Sequence, residues 1–369
     1  MQDISSRAHP AASFPWSSAS ATGVGSMPGT DPAEAMRVVF GELPEFPHLA
    51  ELPARGTGAD MIGRTAALLV DLPLETTPRG WRLAERPGGD LRRAQSLMSR
   101  DLDTLEELAE DHEGVLKVQV CGPWTLAASM ELFRSQEPVL TDRGAVADLT
   151  ASLAEGVAAH VSDVARRVTG ARIVLQLDEP TLPSVLAGGI PSASGWRRID
   201  PVEASDAESG LRAVLAAANT PTVVHCCAVS VPLGIIRDAG ADAVGLDPSK
   251  LRRGEEEALA ETVEAGMGIL AGAVPAQPQT PSPAQRTSSP QPPSPRAVAS
   301  ELVELWRRMG WPTSRKGGPA GTASAISAQV VLTPACGLAG TSPAYARAAL
   351  ACCRDAAALL PELVEEELP

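Results

Sequence analysis

One histidine and two cysteines in this 369-residue chain have the side-chain types and spacing of metal ligands. His225 and Cys227 are two positions apart at the end of an apolar run, so in a β-strand both would point to the same side, which favours Cys227 over Cys226. Asp247 and Cys336 each follow another apolar run. One imidazole, two thiolates and a weakly held carboxylate suit tetrahedral Zn²⁺. The alternative is that the cysteines are merely small buried apolar side chains.

Two further motifs carry polar groups that suit a small-molecule site. Asp178 and Glu179 directly follow the apolar run 175–177, and unpaired carboxylates are expensive to bury, so such a pair usually lies in a polar site. The alternative is an aspartate that caps the following helix. Ser26 lies in Gly23-Val-Gly-Ser-Met-Pro28, where the glycines allow the backbone to approach a ligand or simply form a turn.

The elements that must position these residues are eight apolar, β-branched runs separated by helical segments. This alternation predicts a parallel sheet closed into a (β/α)₈ TIM barrel, with a single domain over residues 21–369. The predicted strands are Ala21–Met27, Pro47–Leu52, Val115–Cys121, Ala171–Leu177, Thr220–Cys226, Asp242–Leu246, Gly266–Val274 and Gln329–Pro334. Nearly every run ends in a reactive side chain, and active sites of such barrels lie at the carboxyl ends of the strands. We therefore expect these side chains to converge on one face.

Three segments depart from the barrel pattern. Residues 275–295 contain eight prolines among Gln, Ser and Thr, which predicts a disordered, Pro-rich insertion over residues 275–297. Residues 313–327 are rich in Gly, Ser and Ala and are predicted to form a second loop. Residues 1–20 are interpreted as a polar N-terminal tail, without the charged and apolar regions of a signal peptide.

Charge and cysteine content restrict the partners and the location. The formal net charge of −14 and the sequence pI near 4.9 argue against binding to nucleic acid or to an anionic membrane, since both require a basic surface. No stretch reaches the roughly 18 uninterrupted apolar residues of a membrane span. Six cysteines in a chain of this length do not indicate a secreted disulfide scaffold. We expect a cytoplasmic protein with reduced thiols.

Taken together, the motifs resemble those of cobalamin-independent methionine synthase, in particular its C-terminal catalytic barrel and the short archaeal enzymes built from that barrel alone. The similarity spans residues 22–356. Four motifs carry it in the family's order: Gly25-Ser-Met-Pro28, Asp178-Glu-Pro180, His225-Cys-Cys227 and Pro334-Ala-Cys-Gly337.

The resemblance implies a set of site residues. The zinc ligands of the family fall on His225, Cys227, Asp247 and Cys336, with Zn²⁺ as the cofactor. The contacts to homocysteine fall on Ser26, Glu51 and Asp178, where the two acids receive the amino group and Ser26 assists with the carboxylate. Asp178 is thereby assigned to both the catalytic and the substrate-binding residues. The implied reaction is zinc-dependent activation of the homocysteine thiol and its methylation to methionine.

Two departures from the family pattern leave the methyl donor open. Asp247 is one methylene shorter than the family's glutamate, and residues 270–276 contain no histidine where the family places its general acid. The donor is therefore methyl-tetrahydrofolate or a methyl-corrinoid, and the absent histidine favours the corrinoid. The alternatives are another thiol S-methyltransferase that uses a corrinoid donor, or a catalytically weakened paralogue that binds zinc and a thiol without turnover.

Overall fold

A computed structural model describes residues 14–252, 254–278, 291–310 and 328–367. The strands are β1 (Leu74–Thr77), β2 (Gly80–Leu83), β3 (Gly114–Cys121), β4 (Ala171–Asp178), β5 (Thr222–Cys226), β6 (Ala243–Leu246), β7 (Gly268–Val274) and β8 (Val330–Pro334). Strands β3 to β8 form one parallel sheet in chain order, and β1 pairs with β2 as a separate antiparallel hairpin. Parallel neighbours in sequential order are the arrangement of a (β/α)₈ barrel.

The first two predicted strands close the barrel through short bridges. The backbone N–H of Thr22 donates to the carbonyl of Leu332 in β8 (3.0 Å), and that of Met27 donates to Glu51 (2.8 Å). The N–H of Leu49 then donates to Lys117 in β3 (2.9 Å). Segments 21–27 and 47–52 thus occupy the first two barrel positions. The predicted TIM-barrel fold is confirmed, although these two segments form isolated bridges and not regular strands.

Helices cover the outside of the sheet, and several begin at a sequence-encoded cap. Asp31, Asp142 and Ser294 each accept a hydrogen bond from a backbone N–H in the first turn of the helix that follows, which satisfies donors that the helix itself cannot. The helices are α1 (Pro32–Glu42), α2 (Met61–Ala66), α3 (Gly89–Leu108), α4 (Pro123–Ser129), α5 (Arg143–Arg167), α6 (Leu182–Leu186), α7 (Ala204–Ala218), α8 (Leu233–Asp238), α9 (Glu255–Glu264), α10 (Pro295–Arg308) and α11 (Pro343–Glu367).

The barrel interior is apolar at the amino-terminal end of the strands and polar above it. Inward positions at the lower end form one apolar cluster, which includes Val115, Val223 and Val331. Trp16 closes this end: its ring is 5% exposed and stacks on Phe46 with 5.9 Å between ring centroids. Because inward positions alternate along a strand, the next ones carry the polar side chains of the site.

The boundaries of the predicted tail and insertion differ from the described structure. Residues 14–20 of the predicted tail belong to the packed lower end of the barrel, since Trp16 fills it. Helix α10 begins at Pro295, inside the predicted 275–297 insertion, because Ser294 caps it and its apolar face packs on the barrel. Residues 1–13 and 279–290, and the second predicted loop at 313–327, lie outside the described residues.

Candidate metal and thiol site

The ends of β5 and β8 bring His225, Cys227 and Cys336 together. Their potential ligand atoms all lie within 4.8 Å of one another, and the two sulfur atoms are 3.4 Å apart. Two thiolates bound at about 2.3 Å to a tetrahedral zinc would be about 3.8 Å apart, which is close to this distance. Cys226, one residue from Cys227, is fully buried and does not belong to the group.

Glycine at two positions allows this close approach. A Cβ atom on Gly245 of β6 would lie 2.9 Å from Nδ1 of His225, and one on Gly337 would lie 2.1 Å from Oγ of Ser26. The turn after Cys336 is also held by the Leu338 N–H, which donates to the carbonyl of Ser26 (2.8 Å). The Ser26 turn therefore fixes the loop that carries one of the two sulfurs.

The electrostatics favour a thiolate at this site. The hydrogen bond from Cys227 and the adjacent His225 lower the pKa of the Cys336 thiol to about 4. Donation of this hydrogen bond to Cys336, together with burial, raises the pKa of the Cys227 thiol. Nε2 of His225 is buried without a hydrogen-bond partner among the described residues, and an unpaired buried polar atom is costly. An imidazole nitrogen free to coordinate, beside two thiol sulfurs, fits Zn²⁺.

Asp178 lies next to His225 in the sheet register and points into the barrel interior. One carboxylate oxygen, Oδ1, accepts a hydrogen bond from Nε2 of Gln176 (2.8 Å), and the side chain is 6% exposed. Burial raises the pKa of Asp178 to about 7, and the positive charge of Lys117 partly opposes this shift. The second oxygen has no protein donor among the described hydrogen bonds. Asp178 can therefore accept a donor from a ligand.

The neighbouring acid, Glu179, faces away from Asp178. Its carboxylate accepts hydrogen bonds from the backbone N–H groups of Trp124 (2.9 Å) and Thr125 (2.8 Å) and from the Thr125 hydroxyl (2.7 Å). Burial raises the pKa of Glu179 to about 7, although these bonds lower it. Glu179 thus caps α4, which precedes it in the chain, and the two acids do not form a paired site.

Glu51 lies at the same face of the barrel but is already part of an ion-pair network. Nε of Arg64 is 3.6 Å from its Oε1, and Arg64 also pairs with Asp101, which is fully buried and held bidentately by Arg55 at 2.7 Å. Burial raises the pKa of Glu51, and Arg64 lowers it. The network positions Glu51, and it leaves this carboxylate less available to a ligand than that of Asp178.

The comparisons with known proteins decide the family. The model of the cobalamin-independent synthase catalytic domain matches residues 19–359. The chain belongs to the cobalamin-independent methionine synthase family. It is thus an S-methyltransferase of the class that serves methionine biosynthesis, as the sequence motifs predicted.

One solved structure agrees with the fold of this family. A B12-independent methionine synthase from Shewanella sp. W3-18-1, solved in complex with selenomethionine, superposes with a TM-score of 0.54 at 12% identity, covering 95% of this chain and 99% of that one. The catalytic domain of a GH26 endo-β-1,4-mannanase from Bacillus sp. JAMB-750 matches with a TM-score of only 0.36 at 14% identity, covering 68% and 63% of the two chains. Curated protein sequences give no significant match.

In this methionine synthase family member, Asp247 lies at the end of β6 but outside the group of three ligands. Its Oδ1 accepts hydrogen bonds from the backbone N–H (3.0 Å) and hydroxyl (2.6 Å) of Ser249. Nζ of Lys250 is 3.3 Å from its Oδ2. The carboxylate is thus engaged by its own loop.

A cavity of about 610 Å³ opens beside Cys336. Its wall includes Asp247, Lys250 and Cys336, which follow β6 and β8, and Glu301 and Arg308 of α10. A second substrate placed in it would therefore lie next to the Cys336 side of the candidate site.

Sequence reasoning missed several polar residues of the barrel interior. Lys117, Gln119 and Gln176 are all buried, and Gln176 donates a hydrogen bond to Asp178. Burial lowers the pKa of Lys117 to about 8. The signal was present, because Leu116-Lys-Val-Gln-Val-Cys121 places Lys117 and Gln119 on alternate positions of an otherwise apolar strand.

Within the described residues, no helix is long and apolar enough to cross a membrane.

Proposed function

We propose that this protein methylates the thiol of homocysteine to give methionine, with zinc held by His225, Cys227 and Cys336. The observation that carries the proposal is the group of three potential ligand atoms within 4.8 Å of one another, with a buried His225 nitrogen that has no hydrogen-bond partner in the part of the chain that the structure describes. When bound, Zn²⁺ lowers the pKa of a coordinated thiol and so supplies a thiolate nucleophile at neutral pH. Catalytic zinc sites keep a position open for a substrate, which three protein ligands leave.

The amino-acid part of homocysteine fits the groups next to this site. Asp178 has a free carboxylate oxygen and accepts the ammonium group, with Glu51 as the second acid. Ser26, whose hydroxyl faces the turn after Cys336, contacts the substrate carboxylate. A buried ammonium without a carboxylate would cost several kcal/mol, so this pairing selects an amino-acid thiol.

We propose that the methyl donor approaches from the cavity beside Cys336. The substrate sulfur forms a bond to the methyl carbon as the bond between that carbon and the donor breaks, and the leaving group keeps the bonding electron pair. Asp247 would be the weak fourth ligand, because Ser249 and Lys250 already engage its carboxylate. The six free cysteines fit the proposed cytoplasmic location.

Methyl-tetrahydrofolate is one candidate methyl donor, and a methyl-corrinoid is the second. A folate leaving group must gain a proton, and residues 270–276 at the end of β7 offer no histidine to supply it. A corrinoid leaving group needs no such proton, and this observation favours it.

The test is turnover of purified, zinc-loaded protein with homocysteine and either methyl-tetrahydrofolate or methylcobalamin. Methionine formation with one donor supports the proposal and identifies the donor. Zinc-dependent homocysteine binding without methionine from either donor would favour the non-catalytic thiol-binding alternative. Absence of both binding and turnover would overturn the proposal.

A further inference from the structure

We propose that Lys117 is a positioning residue that holds the Gly23–Ser26 turn against Asp178 and so sets the affinity for the amino-acid part of the substrate. The inference rests on the proposed function. Lys117 lies in the middle of β3, and no atom of its side chain reaches the surface.

Retention of an ammonium at this depth requires an explanation. The inward position below it on β3 is Val115, in the apolar cluster at the lower end of the barrel. A buried ion costs several kcal/mol, and replacing buried ions by well-packed apolar side chains is often neutral or stabilising. An apolar residue at position 117 would therefore serve the core equally well. The charge is better explained by what it contacts.

Those contacts meet at one backbone atom. The carbonyl oxygen of Val24 accepts hydrogen bonds from Nζ of Lys117 (2.8 Å) and Nε2 of Gln176 (2.9 Å). The same Gln176 nitrogen donates to Oδ1 of Asp178 (2.8 Å). Nζ of Lys117 is also 3.4 Å from Oε1 of Gln119. The Val24 carbonyl therefore joins Lys117 to the Asp178 carboxylate through hydrogen bonds, in addition to the direct attraction between the two charges.

This link joins the two halves of the proposed amino-acid site. Val24 lies two residues before Ser26, the proposed contact for the substrate carboxylate, whereas Asp178 is the proposed contact for the ammonium. Movement of the turn by a fraction of an ångström would change the spacing between these two contacts. Lys117 itself touches neither the substrate groups nor the metal ligands.

The decisive variant is Lys117→Met, which keeps the length of the side chain and removes the ammonium. Titration calorimetry of the zinc-loaded protein with homocysteine and, separately, with 2-mercaptoethanol separates recognition of the amino acid from binding of the sulfur. We expect affinity for homocysteine to fall by at least about tenfold, since members of one hydrogen-bond network couple strongly. Affinity for 2-mercaptoethanol and zinc content should stay within about twofold, as a site intact at the metal requires.

The control is Asp242→Asn, at the lower end of the barrel. This variant weakens the hydrogen bonds that the Asp242 carboxylate accepts from the backbone N–H and the hydroxyl of Thr222. It should change the melting temperature and leave both thiol affinities unchanged. Gln176→Met removes the hydrogen bonds to the Val24 carbonyl and to Oδ1 of Asp178 without removing the ammonium. It should also weaken homocysteine binding selectively, so if Lys117→Met does not fold, unchanged homocysteine affinity in Gln176→Met would contradict the inference.

Two kinds of outcome would overturn the inference. Unchanged homocysteine affinity in Lys117→Met would mean that the charge of Lys117 has a purely structural role. Tighter binding would mean that this charge competes with the substrate ammonium. Equal loss for both thiols, or loss of zinc, would place its effect at the metal. Failure of the wild-type protein to bind homocysteine at all would instead contradict the proposed function.

Discussion

Replacement of Asp178 by asparagine tests the proposed ammonium contact with little change in shape. The carbonyl oxygen of the asparagine can still accept the hydrogen bond from Gln176, which Asp178 Oδ1 accepts at 2.8 Å. The second carboxylate oxygen becomes an amide NH₂ group, which cannot accept a hydrogen bond from a substrate ammonium. The variant therefore removes one charge-assisted hydrogen bond and one buried ion pair from the complex.

The expected loss follows from that single contact. A hydrogen bond to a charged group contributes about 1.5 to 3 kcal/mol, which corresponds to roughly 10-fold to 150-fold in Kd. Glu51 does not replace it fully, because Arg64 already lies 3.6 Å from that carboxylate. Zinc content should be unchanged, since the described ligand group does not include Asp178.

The assay is calorimetric titration of zinc-loaded Asp178→Asn with homocysteine, with zinc measured in the same sample. Glu179→Gln is the matched control, because the adjacent carboxylate faces α4 and should leave the Kd within about twofold. Unchanged affinity in Asp178→Asn would refute the ammonium contact. Loss of zinc would place Asp178 in the metal shell.

Three further predictions follow from local contacts. Gly337→Ala places a Cβ atom 2.1 Å from Oγ and 3.3 Å from Cβ of Ser26, so the Ser26 side chain or the turn after Cys336 must move; we expect zinc affinity, measured by competition with a chromophoric chelator, to fall by at least roughly tenfold. Cys226→Ala should retain a full zinc equivalent in elemental analysis, because Cys226 is buried outside the ligand group. Burial raises the pKa of Glu179 from 4.5 to about 7, so the folded protein binds this proton more tightly than the unfolded chain does. The resulting stability is fully present below about pH 4.5 and is lost as the pH rises through 7. In urea unfolding, the stability advantage of the wild-type protein over Glu179→Gln should therefore shrink by up to about 3 kcal/mol from pH 4.5 to 8, whereas a constant difference would contradict the assignment.

The barrel could be predicted because its strands are short, β-branched and separated by amphipathic helices. The reduction of the first two strands to isolated bridges could not be predicted, since it depends on how Gly23, Gly25 and Pro47 fit between β8 and β3. The lower end was also missed. The composition of residues 1–20 is polar, and only the assembled barrel offers Trp16 the ring of Phe46 and an opening to fill.

The candidate site shows the same division between local and long-range information. Alternation along β5 was enough to separate Cys227 from Cys226, because that argument uses only neighbouring residues. Alternation could not assign Glu179, whose partners belong to a helix that precedes it by about fifty residues. Lys117 was overlooked for the same reason, since its meaning depends on the distant Val24 carbonyl.

Zinc K-edge X-ray absorption tests most directly whether His225, Cys227 and Cys336 hold a zinc ion that remains open to a thiol. We expect a first shell with two sulfur ligands in the resting protein and three after addition of homocysteine, and one sulfur fewer in both states for Cys336→Ser. A sulfur count that does not rise with homocysteine, or that is unchanged by Cys336→Ser, would contradict this expectation.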